Sequence, residues 1–554
     1  MAQWLVLGRH GSGGAGPADA APPVVAGADA EEPAWLAAGG ADPARPTADG
    51  ADPARPTASS ALPPFDRHVI WVGGAVFVVL MLLSGRYGFH RDELYFLDSA
   101  RHLQASYVDQ PVFTPLVARI SLWLFGLSLT GLHLWPALAA WATVILSGLT
   151  ARELGGGRRA QLLTAVGTAT MPSLLAVDHM LTTTGFDMLA WVGLALVVIR
   201  IGRTGDCRWW LAGGAILGLG LANKHSVGFF ALALFASALF TRARRLVLNW
   251  WFLAGAGIAA AFTGPDIWWQ AQHQWATIAM TQALNQENGG LGNAGTWIIG
   301  QLIMVAVALI WVWVTGLRFL WRSEVPLWRT LAWAYALLFI LFAATTGGKI
   351  YYLAGTYPYL LAAGFVAMDE RLAKPGQLRQ LLLGAALSTA VALPVVLPVL
   401  PAADIGWIYK LNQAPAESVG WPQLVQTVHK VWFSLPSSQR ARAVIFTADY
   451  GEAGAVNELG RATGLPEAVS GHNSEWWWGP GNPRATTVVA IGPGPIGTTG
   501  YGAYLRQYFT SVRPVATLSN PAGLRNQEWG GHVYICTGLR KPWAQLWPML
   551  RHYG

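Results

Sequence analysis

The stretch "YGFHRDELYFLDSARHL", residues 87–103, follows directly on the first long apolar segment of the chain. It brings four ionisable side chains close together: Arg91, Asp92, Glu93 and Asp98. The chain as a whole is poor in charge, with 12% charged residues against ~25% in soluble domains. Ionisable groups at the end of a membrane segment are functional candidates, so this stretch predicts a membrane protein with a functional loop.

Long apolar segments continue outward from this loop. Hydrophobic residues make up 53% of the 554 residues, and the mean hydropathy is +0.36. Segments of about 20 apolar residues span a bilayer, and about eleven transmembrane helices are predicted at 69–85, 132–150, 160–176, 187–200, 208–222, 226–241, 249–264, 296–317, 328–346, 353–368 and 379–400. A further apolar stretch, 112–129, contains Pro115 and Arg119 and is interpreted as a helix lying at the membrane interface.

The distribution of basic residues predicts the orientation, because cytoplasmic connections of membrane proteins are enriched in Lys and Arg. With the N-terminus inside, the short outer connections carry only Lys224 and Lys349. The inner connections carry Arg67, Arg152, Arg158, Arg159, Arg200, Arg203, Arg208, Arg242, Arg244, Arg245, Arg318, Arg322, Arg329, Arg371, Lys374 and Arg379. This asymmetry predicts a multi-pass protein of the cell membrane with a cytoplasmic N-terminus and an extracytoplasmic C-terminal domain. It also accounts for the net charge of +8 without nucleic-acid binding.

Three regions are predicted along the chain. Residues 1–65 are rich in Ala, Gly, Pro and Asp and contain "ADPARPTA" twice, which is typical of a disordered tail, here cytoplasmic. Residues 66–402 form the transmembrane domain, with 86–131 as one large outer loop. Residues 403–554 form an α/β domain, with strands at 443–448, 486–492 and 532–538 and helices at 452–464 and 501–512. The predicted fold class is mainly α, a polytopic membrane helical bundle with a small external α/β domain.

The unusual polar residues of the transmembrane domain fall on the predicted outer side. Asp109 lies in the first loop. The other polar residues of this kind lie at the ends of later apolar segments: Asp178, His179, Asp187, Lys224, His225, Lys349, Tyr351 and Tyr352. Structural explanations stay open for several of them, since Asp92 and Glu93 suit a helix N-terminus and a lysine at a membrane interface can snorkel. The two cysteines favour neither a disulfide framework nor a zinc site, and no metal site is assigned.

An Asp-Glu pair just after the first transmembrane helix, followed by an amphipathic loop helix, resembles the C-superfold membrane glycosyltransferases. Within them the chain looks like family 39, the protein mannosyltransferases and lipid A aminoarabinose transferases, over residues 69 to about 400. "VDQPVFTPL" (108–116) lies where those enzymes carry a Glu-Lys-Pro-Pro-Leu motif, with Asp109 at the acidic position and Gln110 in place of the lysine. "LANKHS" (221–226) and "GKIYYLAGTYP" (348–358) resemble the family's later lysine and Lys-x-Tyr-Tyr segments.

The resemblance implies a polyprenyl-phosphate-sugar donor, a mannosyltransferase-like hexosyl or pentosyl transfer, and a protein, lipid or glycan acceptor in the cell envelope. An acceptor hydroxyl needs a general base, for which Asp92 is the first candidate and Asp109 the second; Glu93 completes the predicted catalytic group. The leaving phosphate needs fixed cations, predicted as Lys224, Lys349 and Arg91. The remaining predicted substrate-binding residues are Asp178, His179, His225, Tyr351 and Tyr352.

A single displacement at the anomeric centre implies inversion, and no cofactor is required, although a divalent metal is possible. The alternative function is a membrane transporter or lipid flippase without transferase activity. That class predicts charges within the spans and two related halves, and the sequence shows neither. A ligase-type transferase that moves a whole oligosaccharide also stays open.

Overall fold

Helices form most of the molecule. The computed structural model describes residues 62–287, 294–344, 349–494 and 500–553, so the predicted tail at 1–65 lies almost entirely outside the described residues. The first twelve helices are α1 His68–Leu83, α2 Arg91–Arg101, α3 Phe113–Phe125, α4 Leu129–Glu153, α5 Arg158–Ala169, α6 Pro172–Asp178, α7 Thr183–Thr204, α8 Trp209–Leu221, α9 Ser226–Leu239, α10 Arg244–Val247, α11 Trp250–Gln272 and α12 Ala276–Glu287. The next six are α13 Ala294–Ile303, α14 Ile310–Arg322, α15 Pro326–Ala344, α16 Tyr357–Ala367, α17 Asp369–Leu372 and α18 Pro375–Val396.

A helix or a bent pair of helices lies at each of the apolar segments predicted from the sequence. Among the described residues, five helices are long and apolar enough to cross a membrane, or up to seven if each of two bent pairs is one span. The pair α5 and α6 bends by 56°, next to Pro172, and the pair around 304–306 bends by 95°. The chain is a multi-pass membrane protein, while the count of about eleven spans stays a prediction.

The two ends of the helical bundle differ in chemistry. At one end, α4 and α7 finish beside each other, where Arg203 Nε and Arg200 Nη1 lie 2.7 Å and 3.3 Å from the Glu153 carboxylate. At the other end, α4 and α7 begin next to the first loop, with Ser128 and Thr182 as their capping residues. The polar residues predicted to be functional therefore gather at the end opposite to this arginine cluster.

Small residues allow close helix packing inside the bundle, as is common in membranes. A side chain on Gly316 of α14 would overlap the backbone of α16 at Leu360, and one on Gly364 would overlap the backbone of α14 at Val312. In the first loop, 86–131, the interface helix predicted at 112–129 is present as α3, with Leu132 of α4 buried next to it in one aromatic and aliphatic cluster.

The C-terminal region contains one five-stranded sheet with strand order β2-β1-β3-β5-β4. β1, β2 and β3 are parallel, whereas β5 is antiparallel to β3 and β4 is antiparallel to β5. The strands are β1 Ala443–Thr447, β2 Ala468–Ser470, β3 Thr487–Gly492, β4 Phe509–Thr517 and β5 His532–Leu539. The helices of this region are α19 Trp421–Ser434, α20 Ser437–Arg440, α21 Tyr450–Leu459, α22 Glu475–Trp478, α23 Tyr501–Arg506 and α24 Trp543–Leu546.

Both faces of this sheet are covered, which explains the continuous apolar runs of its central strands. Ile445 of β1 packs into a cluster with α19 and α21, while Val444 and Phe446 pack into a second cluster on the other face, with Trp543. The three predicted strands correspond to β1, β3 and β5. The prediction of a helix over 501–512 is wrong in its second half, because α23 ends at Arg506 and the edge strand β4 begins at Phe509.

Candidate active site

The N-terminus of α2 is fixed by a capping box. His90 Nδ1 accepts a hydrogen bond from the backbone N of Asp92 at 3.1 Å, and Glu93 Oε2 accepts one from the backbone N of His90 at 2.8 Å. This reciprocal arrangement satisfies donors that a helix start leaves open. The sequence "HRDE" therefore fixes the backbone conformation at the start of α2, which carries the predicted catalytic residues Asp92 and Glu93.

Glu93 is buried and ties this loop to the membrane helices. Its Oε1 accepts a hydrogen bond from the backbone N of Leu181 at 2.7 Å and lies 2.8 Å from His133 Nε2 of α4. Burial acts to raise the pKa of Glu93, but His133 and the backbone donors outweigh it and hold the pKa below its ordinary value. This environment suits a carboxylate that positions its neighbours.

Asp92 and Asp109 are each bonded to a tyrosine. The Tyr450 hydroxyl donates to Asp92 Oδ1 at 2.8 Å, and the Tyr95 hydroxyl donates to Asp109 Oδ1 at 2.7 Å. The two tyrosine rings pack together, with centroids 4.7 Å apart. Burial raises the pKa of Asp109, and the charge of Asp92 adds to the increase. Two carboxylates with different tendencies to bind a proton thus lie at one site.

Lys224 is the cation that the structure brings toward this site. Its Nζ donates to Thr184 Oγ1 at 2.9 Å and lies 4.9 Å and 5.8 Å from the ring centroids of Tyr351 and Tyr352. Burial lowers the pKa of Lys224, while the nearby charge of Asp187 opposes the decrease. Asp187 itself accepts from Ser226 Oγ at 2.7 Å and from the Trp191 indole at 3.1 Å.

The loop that carries Lys224 is held by Asn223. The Asn223 side chain accepts from Thr114 Oγ1 of α3 and donates to the backbone oxygen of Thr183, both at 2.7 Å. The backbone N of Phe113 also donates to the Ala222 oxygen at 2.9 Å. Lys224 is therefore positioned by the first loop and by the start of α7 together.

Tyr351 connects the acidic and basic groups. The charges of Asp92 and Asp187 both act on its hydroxyl, and Lys224 Nζ lies 4.9 Å from its ring centroid. Lys349 precedes the short 3-10 helix Ile350–Thr356 that carries Tyr351, and its backbone oxygen accepts a hydrogen bond from the Trp297 indole at 3.2 Å. Three predicted residues, Lys224, Tyr351 and Tyr352, are thus in contact, and Asp92 acts on Tyr351 through its charge. Burial lowers the pKa of Lys349, which precedes Tyr351 in sequence.

His225 points to a different partner. Its Nε2 lies 2.8 Å from Asp266 Oδ2 of α11, and Ser106 Oγ donates to Asp266 Oδ1 at 2.6 Å. The histidine and this serine therefore link the first loop to α11 through one carboxylate. This arrangement gives His225 a structural contact, while its contact with substrate stays a prediction.

Asp178 and His179 do not join Asp187 in one cluster. Asp178 packs against Gly185 and is 1% exposed, and neither carboxylate oxygen has a hydrogen-bond partner within the described residues. His179 Nδ1 lies 2.9 Å from the Ala176 oxygen; burial and the nearby His133 lower the pKa of His179 to about 4. No group of three or more metal-ligating side chains is found in the described part of the chain.

Arg91 lies 3.8 Å from Asp92, between Nε and Oδ1, and otherwise contacts the C-terminal region. Its Nη1 donates to Gln527 Oε1 at 2.8 Å, its Nη2 is 3.7 Å from Glu417 Oε2, and the guanidinium lies 5.3 Å from the ring centroid of Tyr450. These contacts fix Arg91 on the C-terminal region, and its role as a phosphate ligand stays a prediction. The charge pattern of the sequence could not indicate these contacts of Arg91. Adjacent residues of a helix point in different directions, so Arg91 and Asp92 need not share partners.

Three comparisons give the relatives of this architecture. Residues 109–269 match a family model described as dolichyl-phosphate-mannose-protein mannosyltransferase. The crystal structure of ArnT from Cupriavidus metallidurans bound to undecaprenyl phosphate is similar, with a TM-score of 0.58 and 14% identity, covering 84% of this chain and 97% of that chain. The apo structure of the same protein gives a TM-score of 0.55 and 15% identity, with the same coverage. The comparison with curated protein sequences found no match.

The chain has the fold of the C-superfold membrane glycosyltransferases. The resemblance predicted from the sequence is confirmed. The family-model match begins at Asp109 and includes Lys224, whereas Asp92, Lys349 and the C-terminal region lie outside it. The comparisons thus establish the fold that surrounds the candidate site. The roles of the individual residues are inferred from the geometry of the site.

Tyr450 and Tyr95 are the residues of the site that sequence reasoning missed. Tyr450 lies 358 positions from Asp92 along the chain, and no local pattern links the two. The aromatic run at 476–478 is packed against other residues: Trp476 donates to the Trp547 oxygen at 3.0 Å, and Trp478 stacks on His102 with centroids 4.4 Å apart.

Proposed function

We propose that the chain is an integral membrane glycosyltransferase that moves a sugar from a polyprenyl-phosphate-linked donor to a hydroxyl acceptor on the outer face of the membrane. The observation that carries this proposal is the contact of Lys224 with the ring of Tyr351, whose hydroxyl also experiences the charge of Asp92. A carboxylate and a half-buried cation that both act on one tyrosine suit a reaction that removes a proton and releases a phosphate.

The proposed chemistry is one displacement with inversion. Asp92 accepts the proton of the acceptor hydroxyl, the hydroxyl oxygen forms the new bond to the anomeric carbon, and the bond to the phosphate oxygen breaks. The leaving polyprenyl phosphate gains charge, which Lys224 and Lys349 stabilise as fixed cations near the membrane. Asp109, with its raised pKa, is the second candidate for the base. All steps use side chains alone.

The class of donor is supported by the comparisons. ArnT from Cupriavidus metallidurans, which shares the fold, is bound to undecaprenyl phosphate in its crystal structure. The matched family model is named for a dolichyl-phosphate sugar. Both are isoprenoid phosphates, which combine a long apolar chain with one anionic group. A multi-pass bundle with a half-buried lysine at one end is suited to hold such a lipid.

The proposal can be tested with the full chain reconstituted in nanodiscs and given a panel of polyprenyl-phosphate sugars. We expect release of polyprenyl phosphate and a product of inverted anomeric configuration. Asp92→Asn should lower turnover by about 10²-fold or more, the usual range for a lost general base. Lys224→Met should weaken donor binding, whereas the exposed Lys430→Met serves as the control.

Two outcomes would contradict the proposal. Full activity of Asp92→Asn would remove Asp92 from the role of base and leave Asp109. Movement of the labelled lipid across the bilayer by the reconstituted chain, without sugar transfer to any acceptor, would favour the alternative of a lipid flippase. The donor panel also identifies the sugar, and the acceptors can then be compared one class at a time.

A further inference from the structure

The C-terminal domain lies directly on the loop helix of the candidate site. α21 packs closely against α2 at two glycines: a Cβ on Gly451 would overlap the Arg91 side chain, and one on Gly454 would lie 2.6 Å from the Leu94 backbone. Such an approach is open only to glycine. The two helices are therefore fitted to each other along the face of α2 that turns away from the membrane helices.

Polar contacts continue this interface along α2. Asn457 Nδ2 donates to Asp98 Oδ2 at 2.5 Å, where both side chains are buried. Arg101 forms a two-pronged ion pair with Glu458 at 2.5 Å and 2.8 Å, a geometry that fixes relative orientation. These contacts place α21 in one register on α2.

Tyr450 is the first residue of α21, and its position is determined from several sides. Asp449 caps the helix by accepting from the backbone N of Gly451, and Glu452 accepts from the backbone N of Asp449 at 3.2 Å. The Tyr450 ring lies between Tyr95 and His472, with both centroid distances 4.7 Å. Its hydroxyl therefore has a fixed direction, toward Asp92.

We propose that Tyr450 is a positioning residue of the catalytic centre, through which the C-terminal domain orients the Asp92 carboxylate by a hydrogen bond to Oδ1. This inference rests on the proposed function, in which Asp92 is the general base. It assigns the C-terminal domain a part in the chemistry: the site is assembled only when α21 is docked on α2.

The hydrogen bond has two physical consequences. A donor to an ionised carboxylate is stronger than a neutral pair, so it holds one oxygen in place against rotation of the side chain. It also stabilises the ionised form, which lowers the pKa of the carboxyl group. Among the described residues, the titratable or charged groups that act on the Asp92 carboxyl include its chain neighbours His90 and Arg91, Asp109 of the first loop, Glu417 before α19 and Tyr351 of the 3-10 helix.

The test is Tyr450→Phe in the reconstituted full chain, which keeps the ring between its neighbours and removes only the hydroxyl. We expect turnover to fall by about tenfold and the acid limb of the pH–rate profile to move up by about one pH unit, the size expected for a hydrogen bond to a charged group. Tyr534→Phe, in the same domain but on β5, should leave both unchanged.

A second arm separates this inference from the proposed function. In an Asp92→Asn background the acid limb set by Asp92 is absent, and Tyr450→Phe should add less than twofold to the loss. A full tenfold further loss there, or an unshifted acid limb in the single variant, would overturn the role of Tyr450 while leaving Asp92 as the base. Full activity of Asp92→Asn alone would instead overturn the proposed function.

Discussion

Replacing Glu93 with Gln tests how the loop helix α2 is held on the membrane helices. The Glu93 carboxylate accepts hydrogen bonds from the backbone N of His90 and of Leu181, and it lies 2.8 Å from His133 Nε2. Glutamine keeps one acceptor oxygen and turns the other into a donor. One of the two backbone N–H groups is then left facing another donor in a buried position.

The magnitude follows from these contacts. A hydrogen bond to a charged group contributes ~1.5–3 kcal/mol, and leaving a buried donor unpaired costs about 1–3 kcal/mol. Because both terms concern the same N–H group and overlap, we expect Glu93→Gln to lower the free energy of unfolding by roughly 2–4 kcal/mol. We also expect slower transfer, since Asp92 is the preceding residue on the same helix.

The pH dependence has a defined sign. The pKa of Glu93 is lower in the folded chain than its ordinary value, so its contribution to stability is fully present above the unfolded pKa of about 4.3. That contribution is lost as the pH falls through the lower folded pKa. Glu93→Gln should therefore unfold at a lower temperature than the wild type at neutral pH, and the difference should shrink in acid.

Thermal unfolding in nanodiscs, followed by tryptophan fluorescence between pH 3 and pH 8, measures this difference directly. Glu467→Gln is the matched control, because its side chain is 58% exposed and pairs only with the half-exposed Arg461 among the described residues. A Glu93→Gln variant with wild-type unfolding temperature and turnover at neutral pH would refute the reasoning.

Two further predictions concern the domain interface and the topology. Gly454→Ala puts a methyl group against the Leu94 backbone, so we expect loss of turnover and faster proteolysis of the C-terminal domain. The control Gly376→Ala, which has open space around it, should be neutral. Equal behaviour of the two variants would argue against tight docking of α21 on α2. In a cysteine-free background, Arg484→Cys should react with an impermeant thiol reagent from outside and Arg159→Cys only after permeabilisation. The reverse pattern would place the N-terminus outside.

Much of the fold could be predicted from the sequence because its signals are local. Apolar length and flanking arginines indicate membrane helices, and short apolar runs indicate the buried strands β1, β3 and β5. A helix was predicted over 501–512 because Tyr501, Tyr504, Leu505 and Tyr508 have helical spacing. Phe509–Thr517 is nevertheless rich in β-branched residues and forms an edge strand. Local periodicity cannot indicate this strand, because β4 forms by pairing with β5, which lies further along the chain.

The candidate site was only partly predictable for a similar reason. Asp92, Lys224 and Tyr351 could be selected because each follows an apolar segment at the predicted outer side. Tyr450 could not, since its contact with Asp92 depends on the docking of a distant helix. Arg91 was assigned to the donor phosphate because its charge suits that role, and only the packing of the C-terminal domain reveals its contacts with Gln527 and Glu417.

The crowding of charge in "RDE" follows from helix geometry. Consecutive residues of an α-helix are ~100° apart around its axis, so Arg91, Asp92 and Glu93 at the start of α2 face three sides. Arg91 contacts the C-terminal domain through Gln527, Glu93 contacts the membrane helices through Leu181 and His133, and Asp92 accepts a hydrogen bond from Tyr450. The outer two charges fix α2 to the two halves of the protein, and the middle one is presented where those halves meet. A loop of this kind needs all three residues in sequence, because moving any of them by one position would turn it by about 100° to the wrong partner.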